Sequence, residues 1–186
     1  ALVRKILDHT NIFLKINNRF DEIYKDEYSH VFYSGPIDEW FGNCYGKLKY
    51  RTLDFIREVH EGDFQGNPVI NYSNAEVPFT RITEHKHFAP WEEHEKTIIY
   101  KEYSRECTDI DTPYYPVRLA NDKAQLKKYI ELAKVQNGVT FVGRLGTYRY
   151  LDMHVTIEEA LKTAESFLYN ARNGNKIKPF YVDVDI

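Results

Sequence analysis

Apolar residues open the chain at helical spacing, and Leu2, Val3, Ile6 and Leu7 predict a short helix that Asn11 can stop. Residues 12–16 predict a strand with Asn17-Asn18 as its turn. Residues 30–33 predict another, closing at Ser34-Gly35-Pro36, and residues 37–41 begin a short helix. From 48 to 55 the pattern alternates, with Leu48, Tyr50 and Thr52 on one face and Lys49, Arg51 and Leu53 on the other. Strands are expected at 69–72, 79–87 and 97–103, each bounded by Gly, Pro, Asn or a charged cluster, as in an antiparallel meander. Residues 122–136 carry Leu126, Tyr129, Ile130 and Ala133 at helical spacing, with Gly138 as the stop. A short strand at 139–142 feeds Gly143-Arg144-Leu145-Gly146. A last helix runs from Met153 or Thr156 to Tyr169, with Ile157, Ala160, Leu161, Ala164, Phe167 and Leu168 as its buried stripe. The class is α+β: a mostly antiparallel sheet, flanking helices and a C-terminal strand–Gly-rich turn–helix unit.

Composition narrows the function classes. At 186 residues the chain has the length of one ordinary domain. With 25 basic against 28 acidic residues it has no electrostatic footprint for nucleic acid. No run of ~18 apolar residues offers a membrane span. Cys44 and Cys107 match no zinc spacing and read as reduced thiols, which with the lack of a signal-peptide pattern predicts a cytoplasmic protein. The start, Ala1-Leu2-Val3-Arg4, falls inside an amphipathic pattern, as in a piece of a longer protein. Fifteen Tyr and eleven Phe suit either a surface for a ring-bearing, hydroxyl-rich ligand or a β-rich core with aromatic cross-strand pairs.

Several segments carry chemistry. In the unit from Val139 to Leu161, Asp152 can cap the last helix, whose N-terminus suits an anionic group, and Arg144 in the preceding turn can pair with phosphate. Arg51 and Arg81 are strand arginines, which serve either structural ion pairs or diphosphate oxygens. Tyr114-Tyr115, held between Pro113 and Pro116, forms a stiff extended segment. His85-x-His87, with both imidazoles on one strand face, lacks a third ligand at a defined spacing, so no metal is assigned. Glu92-Glu93 and Asp183/Asp185 read as solvated carboxylates. No GxSxG, P-loop or GxGxxG is present.

Six blocks in order resemble the C-terminal half of the UDP-galactopyranose mutase family across roughly residues 1–168. They begin with Tyr33-Ser34-Gly35-Pro36-Ile37-Asp38-Glu39-Trp40-Phe41 and Gly46-Lys47-Leu48-Lys49-Tyr50-Arg51-Thr52-Leu53. Gln65-Gly66-Asn67-Pro68-Val69-Ile70-Asn71-Tyr72 and Val77-Pro78-Phe79-Thr80-Arg81-Ile82-Thr83-Glu84-His85-Lys86-His87-Phe88 follow. Pro113-Tyr114-Tyr115-Pro116 and Gly143-Arg144-Leu145-Gly146-Thr147-Tyr148-Arg149-Tyr150-Leu151-Asp152-Met153 complete the series.

The resemblance implies an FAD-dependent isomerase acting on UDP-galactose, through an adduct between N5 of reduced flavin and the sugar. It implies that Arg81, Tyr115, Tyr150 and Asp152 are catalytic, and that Arg51, Asn71, Arg81, Tyr115 and Tyr150 bind substrate. Arg144 and the turn Leu151, Asp152, Met153, His154, Val155 and Thr156 should meet the cofactor. His85 and His87 become sheet residues of a family that uses no metal. Residues 1–135 should form the substrate sheet and its helices, and 136–186 the end of the FAD domain plus a tail. The family's N-terminal FAD fingerprint and mobile loop are absent, so this chain alone should neither hold FAD tightly nor turn over. Surfaces meeting absent domains, including apolar patches beside Tyr115 and Tyr150, should favour homo-oligomers. The alternative is a non-catalytic UDP-sugar binding module, and a blander one an interaction domain whose aromatic residues are all core.

Overall fold

The computed structural model describes residues 2–18, 20, 22–117 and 123–184. Ala1, Asp185 and the first residue of the 122–136 helix read above lie outside them. The elements in chain order are α1 (Leu2–Leu7), a 3-10 turn (Glu22–Glu27), β1 (Val31–Tyr33), α2 (Ile37–Trp40) and β2 (Tyr50–Glu61). Then come β3 (Val69–Asn71), β4 (Arg81–Glu84), a 3-10 turn (His85–Phe88), β5 (Lys96–Glu106) and β6 (Tyr115–Pro116). The chain ends with α3 (Lys123–Lys134), β7 (Val139–Phe141), α4 (Gly143–Gly146) and α5 (Met153–Arg172). The α+β class holds.

Five strands form one antiparallel sheet in the order β3-β4-β5-β2-β6, and β1 pairs with β7 in a separate parallel pair. The long β2–β5 ladder runs unbroken from Arg51↔Glu106 to Glu61↔Lys96, so the alternation read at 48–55 continues well past Phe55. Leu48, Tyr50 and Thr52 are buried together as the alternation requires. The predicted stripe of α3 is also inward, since Leu126, Tyr129, Ile130 and Ala133 are all buried. They join Ile37, Trp40, Val139, Phe141 and Tyr148 in one core.

Close backbone approach joins the parallel pair to α4. A Cβ on Gly146 would stand 2.7 Å from the Tyr33 carbonyl oxygen, inside van der Waals contact, so only glycine lets α4 settle there.

Four sequence expectations are corrected. Residues 12–16 form no strand; Ile12, Phe13, Leu14 and Ile16 are exposed, and the run lacks the alternation that would give one face to a neighbour. β4 ends at Glu84, so His85 and His87 do not share a strand face. The chain turns there into a 3-10 segment closed by Ala89 N–H donating to Lys86 C=O. The buried stripe of α5 is not buried: Ile157 (57% exposed), Ala160, Leu161 (62%), Ala164 and Leu168 face outward, and Phe167 is half-buried. The helix instead turns Thr163 inward, sets Phe167 against His30 and Phe32, and ties Glu159 to Arg149. Periodicity reveals which face of a helix is apolar, not whether the chain itself covers it. Finally, Asp152 occupies the N-cap position of α5 but its side chain makes no capping bond. The Thr156 N–H and hydroxyl donate to its carbonyl instead, at 2.9 and 3.0 Å.

Candidate functional site

Directly paired residues of an antiparallel sheet point to the same face, and positions two or four apart on one strand share it. Asn71, Arg81, Glu102 and Phe55 therefore form one row across β3, β4, β5 and β2. Arg51, paired with both Glu106 and Tyr115, lies in a second row on the same face. The two rows are about 13 Å apart, from four residues at ~3.3 Å each. Arg51 shortens that gap by reaching over Ser104, donating from Nε to Oγ at 3.0 Å and from a terminal nitrogen to the carbonyl at 2.7 Å. The opposite face holds buried Ile82, Ile99, Thr52 and Thr97.

The arginines are fixed before any ligand arrives. Arg81 Nε donates to Asn71 Oδ1 at 2.9 Å, and its guanidinium lies 3.7 Å from the Glu102 carboxylate. Glu102, whose side chain is only 12% exposed, was not singled out from sequence. An acidic residue within the alternating 97–103 pattern, facing a strand arginine, was the available signal. Ser104 was missed as well, because strand pairing alone places it beside Arg51.

Tyr115, Tyr150 and Arg144 meet at the β6 edge. The two phenol rings stack with centroids 5.6 Å apart and planes 23° from parallel. The Arg144 guanidinium sits 4.8 Å from the Tyr115 centroid and 5.0 Å from that of Tyr150. It also donates to the Tyr114 carbonyl at 3.2 Å and to the Leu151 carbonyl. So the turn after α4 is tied to β6 by one cation. Tyr150 is 63% exposed, while Leu151 is buried.

The start of α5 is open. Met153 and His154 are exposed, Val155 and Thr156 half-buried, and the exposed Asp152 carboxylate leaves the first-turn N–H groups uncapped. Those donors and the positive end of a 20-residue helix fit an anionic cofactor group.

Two other features lie apart from this face. A cavity of about 440 Å³ is lined by Asp38, Lys47, Tyr50, Cys107 and Asp111, and of the predicted site residues only Arg51 reaches it. Burial raises the Asp38 carboxyl, although it accepts bonds from Leu48 N–H at 2.8 Å and Tyr50 hydroxyl at 2.7 Å. At the far end of β4, His87 Nε2 lies 3.1 Å from Asp63 and 3.3 Å from Glu84, and Lys86 pairs with Asp63 at 2.7 Å. In that cluster the two carboxylates are met by the Lys86 ammonium and the His87 imidazole. Both cysteines are free, and among the described residues no helix is long and apolar enough to cross a membrane.

The family model for UDP-galactopyranose mutase matches residues 1–150. A Klebsiella pneumoniae protein named as a probable UDP-galactopyranose mutase is 51% identical over 98% of this chain and 48% of its own length. The Escherichia coli dTDP-fucopyranose mutase is 44% identical over 91% of this chain and 47% of its own. The UDP-galactopyranose mutase of Mycoplasma pneumoniae is 30% identical over 88% of this chain and 45% of its own. The chain thus spans about half the length of the curated relatives it matches.

Proposed function

Because the chain belongs to the UDP-galactopyranose mutase family, we propose that it forms the sugar-nucleotide-binding half of a flavin-dependent isomerase interconverting UDP-galactopyranose and UDP-galactofuranose. The observation that carries this reading is the shared face of Arg51, Arg81, Asn71 and Tyr115, with Tyr150 and Arg144 stacked at its edge. UDP-galactose is preferred to a dTDP-sugar because the relative with the higher identity carries the galactose name.

In this reading Arg81 and Arg51 hold the diphosphate and stabilise the charge that develops as UDP leaves the anomeric carbon. Losing one such donor costs about 3–4 kcal/mol. Asn71 keeps the Arg81 guanidinium on the sheet face and contacts substrate. Tyr115 and Tyr150 border the diphosphate, with Asp152 toward the sugar. FAD, when bound, supplies a nucleophilic ring nitrogen from its reduced flavin and ends the cycle unchanged. Met153, His154 and Val155 would hold it through the N-terminal N–H groups of α5, with Thr156 lining the same turn beside Leu151 and Asp152. Arg144, already committed to two carbonyls and two rings, keeps further N–H groups for its pyrophosphate.

Residues 136–186, joined through β7 to β1, belong with the cofactor domain, and residues 1–135 otherwise with the substrate sheet. Calorimetric titration of the chain with UDP and dTDP tests the reading: UDP binds, and Arg81→Ala weakens it. No UDP binding by a folded chain sinks it. Adding the half of a family member that this chain does not span, with reduced FAD, separates the isomerase from a non-catalytic UDP-sugar module, which gains no turnover.

A further inference from the structure

Tyr148 has a backbone φ of 49°, in the left-handed region that a bulky side chain enters at a cost. It is also 1% exposed, in a turn whose neighbour Tyr150 points to solvent. Its ring meets that of Tyr50 edge-on, with centroids 5.3 Å apart. Its hydroxyl lies 2.7 Å from the Lys49 carbonyl and 2.8 Å from the Val117 carbonyl. One hydroxyl proton serves both oxygens as a three-centre bond. The Val117 N–H also donates to the Lys49 carbonyl at 2.9 Å, so the hydroxyl reinforces the β2–β6 pairing just past its end.

The spacing gives this bond its meaning. Tyr148 precedes Tyr150 by two residues, and Val117 follows Tyr115 by two. The same two stretches of chain are therefore tied twice, inside by the Tyr148 hydroxyl and outside by the Tyr115–Tyr150 stack. We infer that Tyr148 is a positioning residue whose hydroxyl sets the separation of Tyr115 and Tyr150, and with it the seat of Arg144. Its consequence for ligand binding rests on the proposed function, because that face is where the diphosphate is placed.

Ring currents read the geometry without any ligand. The Nε–H proton of Arg144, held against two ring faces, resonates away from the position of a free arginine. In the 186-residue chain, Tyr148→Phe is expected to move that signal back toward the free-arginine position and to weaken UDP binding by about tenfold. Tyr129→Phe is the control. It removes a buried hydroxyl that bonds the Gly46 carbonyl at 2.7 Å and the Tyr45 N–H at 2.9 Å, partners in neither stretch that carries the stack, and should leave the Arg144 signal in place. Incorporating 3-fluorotyrosine at position 148, which keeps ring and donor, should restore it. An Arg144 signal unmoved by Tyr148→Phe, or moved equally by Tyr129→Phe, overturns the inference. So does a Tyr148→Phe chain that fails to fold, because the residue is then simply structural. If the parent binds no UDP, the proposed function fails, while the Arg144 signal still decides the role of Tyr148.

Discussion

Arg81 donates to Asn71 across the β3–β4 pair, Nε to Oδ1 at 2.9 Å, and that single bond fixes how the guanidinium lies on the sheet. The neighbouring Glu102 carboxylate at 3.7 Å adds charge compensation without a close second bond. An arginine so held loses little rotamer freedom when an anion arrives. Its remaining N–H groups offer the planar fork that diphosphate oxygens accept.

Replacing Arg81 by Ala in the intact enzyme should lower turnover by at least ~100-fold. Arg81→Lys should recover only part of it, since an ammonium cannot hold both Asn71 and a diphosphate in one plane. Steady-state rates of the reconstituted enzyme decide the point, and near-normal turnover of Arg81→Ala removes the residue from the role. Asn71→Ala, which frees the guanidinium but leaves its charge, should weaken UDP binding by about tenfold or less.

Much of this face was legible in the sequence, and the reason is local. Alternation put Leu48, Tyr50 and Thr52 on one face and Arg51 on the other; that the first face is buried is read from the fold. The four-residue pattern of α3 named its buried residues outright. What could not be read depended on partners distant in the chain. Glu102 matters because register sets it opposite Arg81, and register is a property of the folded pair. The histidines at 85 and 87 looked like strand neighbours because nothing local shows the chain leaving the sheet after Glu84. The Asp152 carboxylate sits at the N-cap position, yet composition cannot tell whether a side chain will turn toward its own helix. The resemblance named Arg144, Tyr115 and Tyr150 but not their mutual stacking, which needs β6 and the turn after α4 side by side.

Glu84 gives a pH dependence with a definite sign. Its carboxylate is fully buried, which by itself would raise the pKa. Backbone N–H groups of Phe64 and Gln65 at 3.0 and 2.8 Å, with His87 beside them, outweigh burial and bring it from 4.5 to about 2. A carboxyl lowered by folding stabilises the fold above its unfolded pKa, and that contribution fades as pH falls from about 4.5 toward 2. Glu84→Gln should be less stable than the parent at pH 7 by about 1–3 kcal/mol. The two stabilities should converge in acid when denaturation midpoints are followed with pH. Parallel curves would contradict this account.

Gly146 tests the junction between α4 and the parallel strands. A methyl there meets the Tyr33 carbonyl oxygen at 2.7 Å, and that neighbour is backbone, so relief requires moving β1 or α4. Gly146→Ala should cost about 1–3 kcal/mol, read as a lower urea midpoint with an unchanged slope. The shift of α4 should also disturb Arg144, two residues earlier, and loosen UDP binding. An alanine variant as stable as the parent would mean that the close approach is not a constraint.

The outward stripe of α5 and the inward stripe of α3 have similar sequence patterns and opposite environments, which makes a paired comparison informative. Leu126 is 3% exposed, and Leu126→Ala should cost about 2–5 kcal/mol through lost burial and a cavity. Leu161 faces solvent, so Leu161→Lys should change the stability of this chain by no more than about 0.5 kcal/mol. The same substitution interrupts an apolar strip running from Met153 through Ile157 to Leu168. Exposed strips of that kind drive association. Sedimentation of the parent should therefore show concentration-dependent self-association that Leu161→Lys reduces. A large loss of stability in Leu161→Lys would mean that the stripe is buried within the chain after all.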